Sequence, residues 1–348
     1  MNASPADRCE DLSDWMTTQL QQLCAADTTS GQEDAGLDSL RALLVGLGAA
    51  LVEQVVAPGR TNVLALWGDP RVLFSTHLDT VPPYFPPTRD ETGIRGRGAC
   101  DAKGQIVAQV AAIRSLLADG REGLAWLGVV GEETDSAGAT AAQALRDHLP
   151  QVKALINGEP TELKLGTGQR GVQHIHLWCE GRPAHSGSPE RGRSATWALL
   201  DWLQRIREQP RPTDRELGPE VWNLGLLKAG EALNTLAAHA EADLMARVLP
   251  GSRLLEEIRH LAPPEGRVDL RLDEPSDRYP TLPGFDHGTL PFGSDAPALR
   301  KLAQDRTVVL AGPGSITVAH TPDEQMTRAD LVAGMALNRR LALHFLGD

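Results

Sequence analysis

Between residues 60 and 160 the chain alternates short apolar runs with helical stretches, and this alternation constrains the fold more than any other feature. Asn62–Trp67 and Val72–Thr76 read as strands, Leu124–Val130 as a buried strand without strict alternation, and Val152–Ile156 as another. Lys103–Leu117 is helical, with Ile106, Val107, Val110, Ile113, Leu116 and Leu117 on its apolar face, and Ala137–Leu149 is a further helix. Such an order predicts an α/β fold with a mostly parallel sheet and helices on both faces. Gly68-Asp69-Pro70 between the first two strands reads as a hairpin or tight turn. Upstream, Leu12, Trp15, Met16, Leu20 and Leu23 recur at helical spacing, and Ser30 before Gln32 and Glu33 reads as a helix start.

The pattern changes after Gly166. Val172–Cys179 alternates apolar and polar residues, Ser194–Ile206 is helical, Trp222–Leu227 and Ala240–Leu249 read as strands, Arg253–Leu261 as a helix and Val268–Leu272 as a strand. This order predicts an inserted α+β domain with an antiparallel sheet over residues 168–279, set into a catalytic domain of residues 1–167 and 280–348. Val308–Ala311 and the helix Arg328–Phe345 resume the first pattern.

The length of 348 residues fits two domains. A net charge of -12 without a Lys/Arg-rich run argues against nucleic acid and anionic membrane as partners. Cys9, Cys24, Cys100 and Cys179 are scattered, with no CxxC pair, so neither a Cys-type zinc module nor a disulfide framework is expected. No apolar leader is visible after Met1, and the stretch Leu43–Val56 is cut by Glu53 and Gln54, so a cytoplasmic protein without a membrane span is the expectation.

Five segments place acidic residues and histidines at the ends of these elements. His77 and Asp79 lie two apart at a strand end and point the same way, so Asp79 could hold the second ring nitrogen of a metal-bound His77. Asp101 opens the helix that follows Gly96-Arg97-Gly98-Ala99-Cys100, and taken alone it reads better as a helix cap than as a ligand. Glu132 and Glu133 follow a buried strand, where paired carboxylates need a positive partner or a solvated turn. Glu159 sits in Asn157-Gly158-Glu159-Pro160, and His320 follows the Gly312-Pro313-Gly314-Ser315 turn. Each signal is weak singly. Together they gather at strand ends of one α/β domain, where such folds bind ligands, and the ligand types suit zinc, with cobalt or manganese as substitutes.

Taken in order, these segments resemble the two-zinc amidohydrolases that include acetylornithine deacetylase, succinyl-diaminopimelate desuccinylase and aminoacylase. The matching stretches are His77-Leu78-Asp79-Thr80-Val81-Pro82, Gly96–Gly104, Glu132-Glu133, Gly158-Glu159-Pro160-Thr161 and Gly312 through His320. Ser294-Asp295-Ala296-Pro297 and Ala319-His320-Thr321-Pro322-Asp323-Glu324 are most similar to the acetylornithine deacetylase branch.

The resemblance implies that His77 and Glu159 bind one zinc, that Glu133 and His320 bind the other, and that Asp101 bridges them. It implies Glu132 as general base, Asp79 as a catalytic support and a cis peptide after Asp101. In the inserted domain it implies that His185 reaches a partner subunit's site and holds the oxyanion, and that Asn234 and Arg247 bind the substrate carboxylate. A homodimer through the inserted domain is implied on the same ground. The implied reaction is hydrolysis of an N-acyl amino acid, with acetylated ornithine or citrulline as first choice and a place in amino-acid (arginine) biosynthesis. Succinyl-diaminopimelate or a di- or tripeptide is the alternative substrate. A silent metal-binding or carrier protein on this scaffold is a rival of another class, opposed by the intact Glu132.

Overall fold

The computed structural model describes residues 5–303 and 306–347, and side chains from Leu12 onward. In chain order the principal elements are α1 (Pro5–Cys24), α2 (Leu37–Val45), β1 (Ala50–Ala57), β2 (Arg60–Trp67), β3 (Val72–His77), β4 (Gly93–Arg95), α3 (Lys103–Ala118), β5 (Leu124–Val129), α4 (Ala137–Ala141) and β6 (Ala154–Asn157). Then follow β7 (Gly171–Glu180), α5 (Ala195–Glu208), β8 (Val221–Ala229), β9 (His239–Val248), α6 (Leu254–His260), β10 (Gly266–Glu274), α7 (Ala296–Arg300), β11 (Thr307–Leu310), β12 (Gln325–Thr327) and α8 (Arg328–Leu346). The chain divides into two compact units. Gly168–Arg278 and Thr289–Gly293 form one, and the remaining described residues form the other.

The larger unit is built on a six-stranded sheet of order β1-β2-β5-β3-β6-β11. β5, β3, β6 and β11 run parallel, while β1 and β2 form an antiparallel hairpin on one edge. Every residue of β3 and β5 is buried, as central parallel strands require. Their side chains, with Phe74 and Trp126 the largest, join the apolar faces of α1, α3 and α8 in one core. β2 and β3 are not a hairpin: β5 lies between them, antiparallel to β2 and parallel to β3. Gly68-Asp69-Pro70 turns the chain, but β2 and β3 each give one edge to β5 and their other edges to β1 and β6, so they do not pair with each other. The expected helix over Ala137–Leu149 is α4 followed by 3-10 helix over Ala142–His148. Gly138 sits so close to the backbone of Val130 that a Cβ would come within 2.4 Å of it.

The parallel strands send their carboxyl ends to one edge of the sheet. The connections after β3, β5, β6 and β11 therefore carry His77–Asp79, Gly131–Glu133, Gly158–Glu159 and Gly312–His320 to the same side.

The smaller unit is a four-stranded antiparallel sheet of order β8-β9-β7-β10. One face buries Ile175, Leu177, Ala242, Leu244 and Ala246 against Leu199, Trp202, Ile206 and Ile258 of α5 and α6. The opposite face carries His174, His176 and Asp243. β8 is an edge strand with an exposed apolar row of Val221, Leu224, Leu226 and Leu227.

Cys24, Cys100 and Cys179 are buried and free, and the side chain of Cys9 lies outside the described residues. Among the described residues no helix is long and apolar enough to cross a membrane.

Candidate metal centre

β3 delivers the buried His77 at its last position. Nδ1 stands 3.0 Å from the carbonyl oxygen of Asp79, and Nε2 stands 2.9 Å from Oδ1 of Asp101. A carbonyl only accepts, so Nδ1 is the donor and Nε2 is the nitrogen aimed at the cluster. The Asp79 carboxylate is fully used. Oδ1 accepts the backbone N–H groups of Gly131 and Glu132, and Oδ2 accepts the N–H of Glu133 and the hydroxyl of Ser30, at 2.7–3.1 Å. Burial pushes its pKa up, but the hydrogen bonds from His77, Ser30 and the backbone prevail and hold it below the usual carboxylate range. Asp79 thus locks the 131–133 turn against the end of β3. Ser30 is spent on this contact. The helical turn near it runs over Glu33–Gly36 and has Gln32, not Ser30, at its cap position.

Asp101 precedes α3, and the peptide joining it to Ala102 is cis. Its two oxygens face two histidines: Oδ1 meets His77, and Oδ2 is 3.3 Å from Nε2 of His320. His320 Nε2 also lies 2.9 Å from Oε1 of Glu133. His320 has a left-handed backbone (φ 62°), uncommon for a non-glycine residue and concentrated at functional sites.

Ligand atoms of His77, Asp101 and Glu159 lie within 4.8 Å of one another, as do those of Asp101, Glu133 and His320. Each set offers one imidazole and two carboxylates, and Asp101 belongs to both. His77, Glu132 and Glu133 form a third such set. The donor set fits two divalent cations sharing a carboxylate. Its electrostatics fit as well. Burial, with neighbouring carboxylates adding to it, drives the pKa values of Glu132 and Glu159 well above normal. Hydrogen bonds to Asp101 and Glu133 push His320 up to about 10. Carboxylates this crowded call for positive charge, which divalent cations supply.

Glu324 and Arg97 were not singled out by sequence. Oε1 of the buried Glu324 accepts the N–H groups of both Cys100 and Asp101 at 3.1 Å. Oε2 meets Nη1 of Arg97 at 2.6 Å. The only signal was position, four residues after His320. Lys103 is buried, its ammonium bonded to the carbonyl of Ala26 at 3.0 Å, so it supports the start of α3.

His185, Asn234 and Arg247 belong to the smaller unit. His185 and Asn234 are exposed and adjacent: Ser186 N–H donates to the Asn234 carbonyl at 2.9 Å, and His185 bridges to Thr235. Arg247 is partly buried near the far end of β9. At about 3.3 Å per residue, that is about 26 Å along the strand from the end joined to the Asn234 loop.

The model of peptidase family M20/M25/M40 matches residues 73–344. The chain belongs to this family. Its members are metallopeptidases and related hydrolases of amide bonds, and the family's central α/β sheet and antiparallel second sheet are those seen here. A peptidase M20 domain-containing protein of Schizosaccharomyces pombe is 34% identical over 346 residues, covering 94% of this chain and 84% of the relative. A protein of Aspergillus clavatus described as a probable carboxypeptidase is 33% identical, covering 88% of this chain and 77% of that one. Among solved structures, a tripeptidase from Staphylococcus aureus has a TM-score of 0.80 at 18% identity, covering 95% of this chain and 98% of its own. None of these is described as an acetylornithine deacetylase.

Proposed function

We propose that this chain is a two-metal hydrolase that cleaves the amide joining an acyl group to an amino acid with a free α-carboxylate. The observation that carries the reading is the shared Asp101, flanked by His77 and Glu159 on one side and by His320 and Glu133 on the other. An N-acetyl amino acid and the C-terminal bond of a short peptide are the same amide seen from the leaving amine. The carboxypeptidase description of the Aspergillus relative therefore supports this reading as much as the acetylornithine deacetylase resemblance does.

His77 and Glu159 would hold one divalent cation, zinc by choice, and Glu133 and His320 a second, with Asp101 common to both; when bound, such cations would supply Lewis-acid polarisation of the scissile carbonyl and a lowered pKa for the attacking water. Glu132 takes the water proton on its carboxylate and returns it to the leaving amine. Asp79 keeps the Glu132 backbone and the His77 ring in place. The Arg247 guanidinium pairs with the substrate α-carboxylate through both oxygens, and His185 and Asn234 donate to the rest of the substrate. The separation between Arg247 and the His185–Asn234 pair supports a homodimer, because one smaller unit alone does not bring the three around one small molecule. The apolar edge strand β8 supports the same assembly.

The test is release of free amine by metal-depleted protein from N-acetylornithine, N-acetylcitrulline, N-succinyl-diaminopimelate and a set of di- and tripeptides, with and without zinc or cobalt. Metal-restored hydrolysis of a substrate with a free α-carboxylate, lost when that carboxylate is amidated, is the expected result. Hydrolysis indifferent to the carboxylate contradicts the assignment of Arg247.

A further inference from the structure

The proposed chemistry uses neither Glu324 nor Arg97, although both are buried ions beside the shared ligand. We propose that Glu324 is a positioning residue that sets the orientation of the Asp101 carboxylate by gripping the main chain on which it is mounted. This rests on reading the cluster as a two-metal centre.

The grip is specific. β12 pairs with β4 so that Gln325 faces Arg95, which brings Glu324 opposite Gly96. The Glu324 carbonyl then accepts the Gly96 N–H at 3.0 Å. Its side chain turns inward, and a single oxygen, Oε1, accepts from Cys100 and Asp101 together. Arg97 is itself held on three sides: by Glu324, by the Pro83 carbonyl at 3.2 Å from Nε, and by the Phe85 ring 5.0 Å from its guanidinium carbon.

A buried ion pair is a poor source of stability, since apolar residues of similar volume do as well or better. Its value here is geometric. Among the described residues, the hydrogen-bond and ion-pair partners of the Asp101 carboxylate are His77 and His320, which are themselves metal ligands. His77 has Asp79 to orient it. Asp101 has no side chain of that kind, and its aim depends on how its backbone is held. Glu324 does the holding, and it stands on the same loop as His320. One short segment therefore fixes a ligand of the second metal and the aim of the ligand shared by both.

The experiment is a cobalt titration of metal-depleted full-length protein, followed by visible absorption and calorimetry. It compares wild type with Glu324→Gln and with the double variant Arg97→Met/Glu324→Leu. The double variant removes the pair without leaving a buried charge, which protects the test if the single variant folds poorly. The expected result is cobalt affinity weakened by about 10- to 100-fold in folded variant protein, with shifted cobalt bands. A purely structural role lowers the melting temperature but leaves affinity and bands per folded molecule unchanged, and that outcome overturns the proposal. If wild type itself takes up no cobalt, the two-metal reading falls first and this inference falls with it.

Discussion

Oδ1 of Asp79 accepts the backbone N–H of Glu132 at 3.1 Å. The residue two positions beyond His77 thereby fixes the turn that presents the proposed base. In Asp79→Ala the N–H groups of Gly131, Glu132 and Glu133 lose their acceptor, and the His77 ring loses a neighbouring charge. The expected effect is a fall of about 10- to 100-fold in kcat or metal affinity, read by steady-state kinetics alongside metal analysis. Wild-type values for both contradict the anchoring role.

Metal uptake should release protons. In the metal-free protein His320 is held protonated at neutral pH, its pKa raised to about 10 by Asp101 and Glu133. A metal binds only the neutral ring, so a proton leaves when the site fills. The sign follows: raising the pH weakens competition from that proton, and affinity strengthens until the pH passes the His320 value. Calorimetry in two buffers of different ionisation enthalpy should show a buffer-dependent heat. Equal heats, with an affinity flat across pH, contradict the ligand role of His320.

In the smaller unit, one oxygen of Asp243 serves three donors: Nε2 of His174 at 2.8 Å, Nδ1 of His176 at 3.0 Å and Nη1 of Arg271 at 3.3 Å. Burial pushes the Asp243 carboxyl up, but the two histidines and the arginine outweigh it and hold the pKa below normal. A carboxyl with a depressed folded pKa stabilises the fold above its unfolded value of about 3.9, and this contribution is lost as the pH falls through the folded value. Asp243→Asn should lower the melting temperature at pH 7, and its deficit against wild type should shrink below about pH 4. A deficit that is constant with pH points to packing alone.

Much of the larger unit was legible because central parallel strands are continuously apolar and their polar termini stand out against them. β5, β6 and α3 fall close to the runs that predicted them, and the cis bond after Asp101 is present. Strand order was not legible. Periodicity shows which segments are strands, but the partner of β3 is set by the βαβ crossover through α3 and not by the turn at Gly68. Ser30 misled for a related reason: its hydroxyl suits a helix cap, yet it bonds to Asp79, a residue 49 positions away. Glu324 was invisible because nothing local separates it from a solvated turn carboxylate. Its burial comes from β4, which lies more than 200 residues earlier.

The most direct test of the account is the turnover of Glu132→Gln with metal content measured in the same preparation. The glutamine keeps the size of the side chain and the Glu132 N–H bond to Asp79, but it cannot take a proton. The expected result is wild-type metal content with kcat lower by about 100- to 10,000-fold on whichever substrate the wild type cleaves. Wild-type turnover by a fully metallated Glu132→Gln protein would contradict the mechanism.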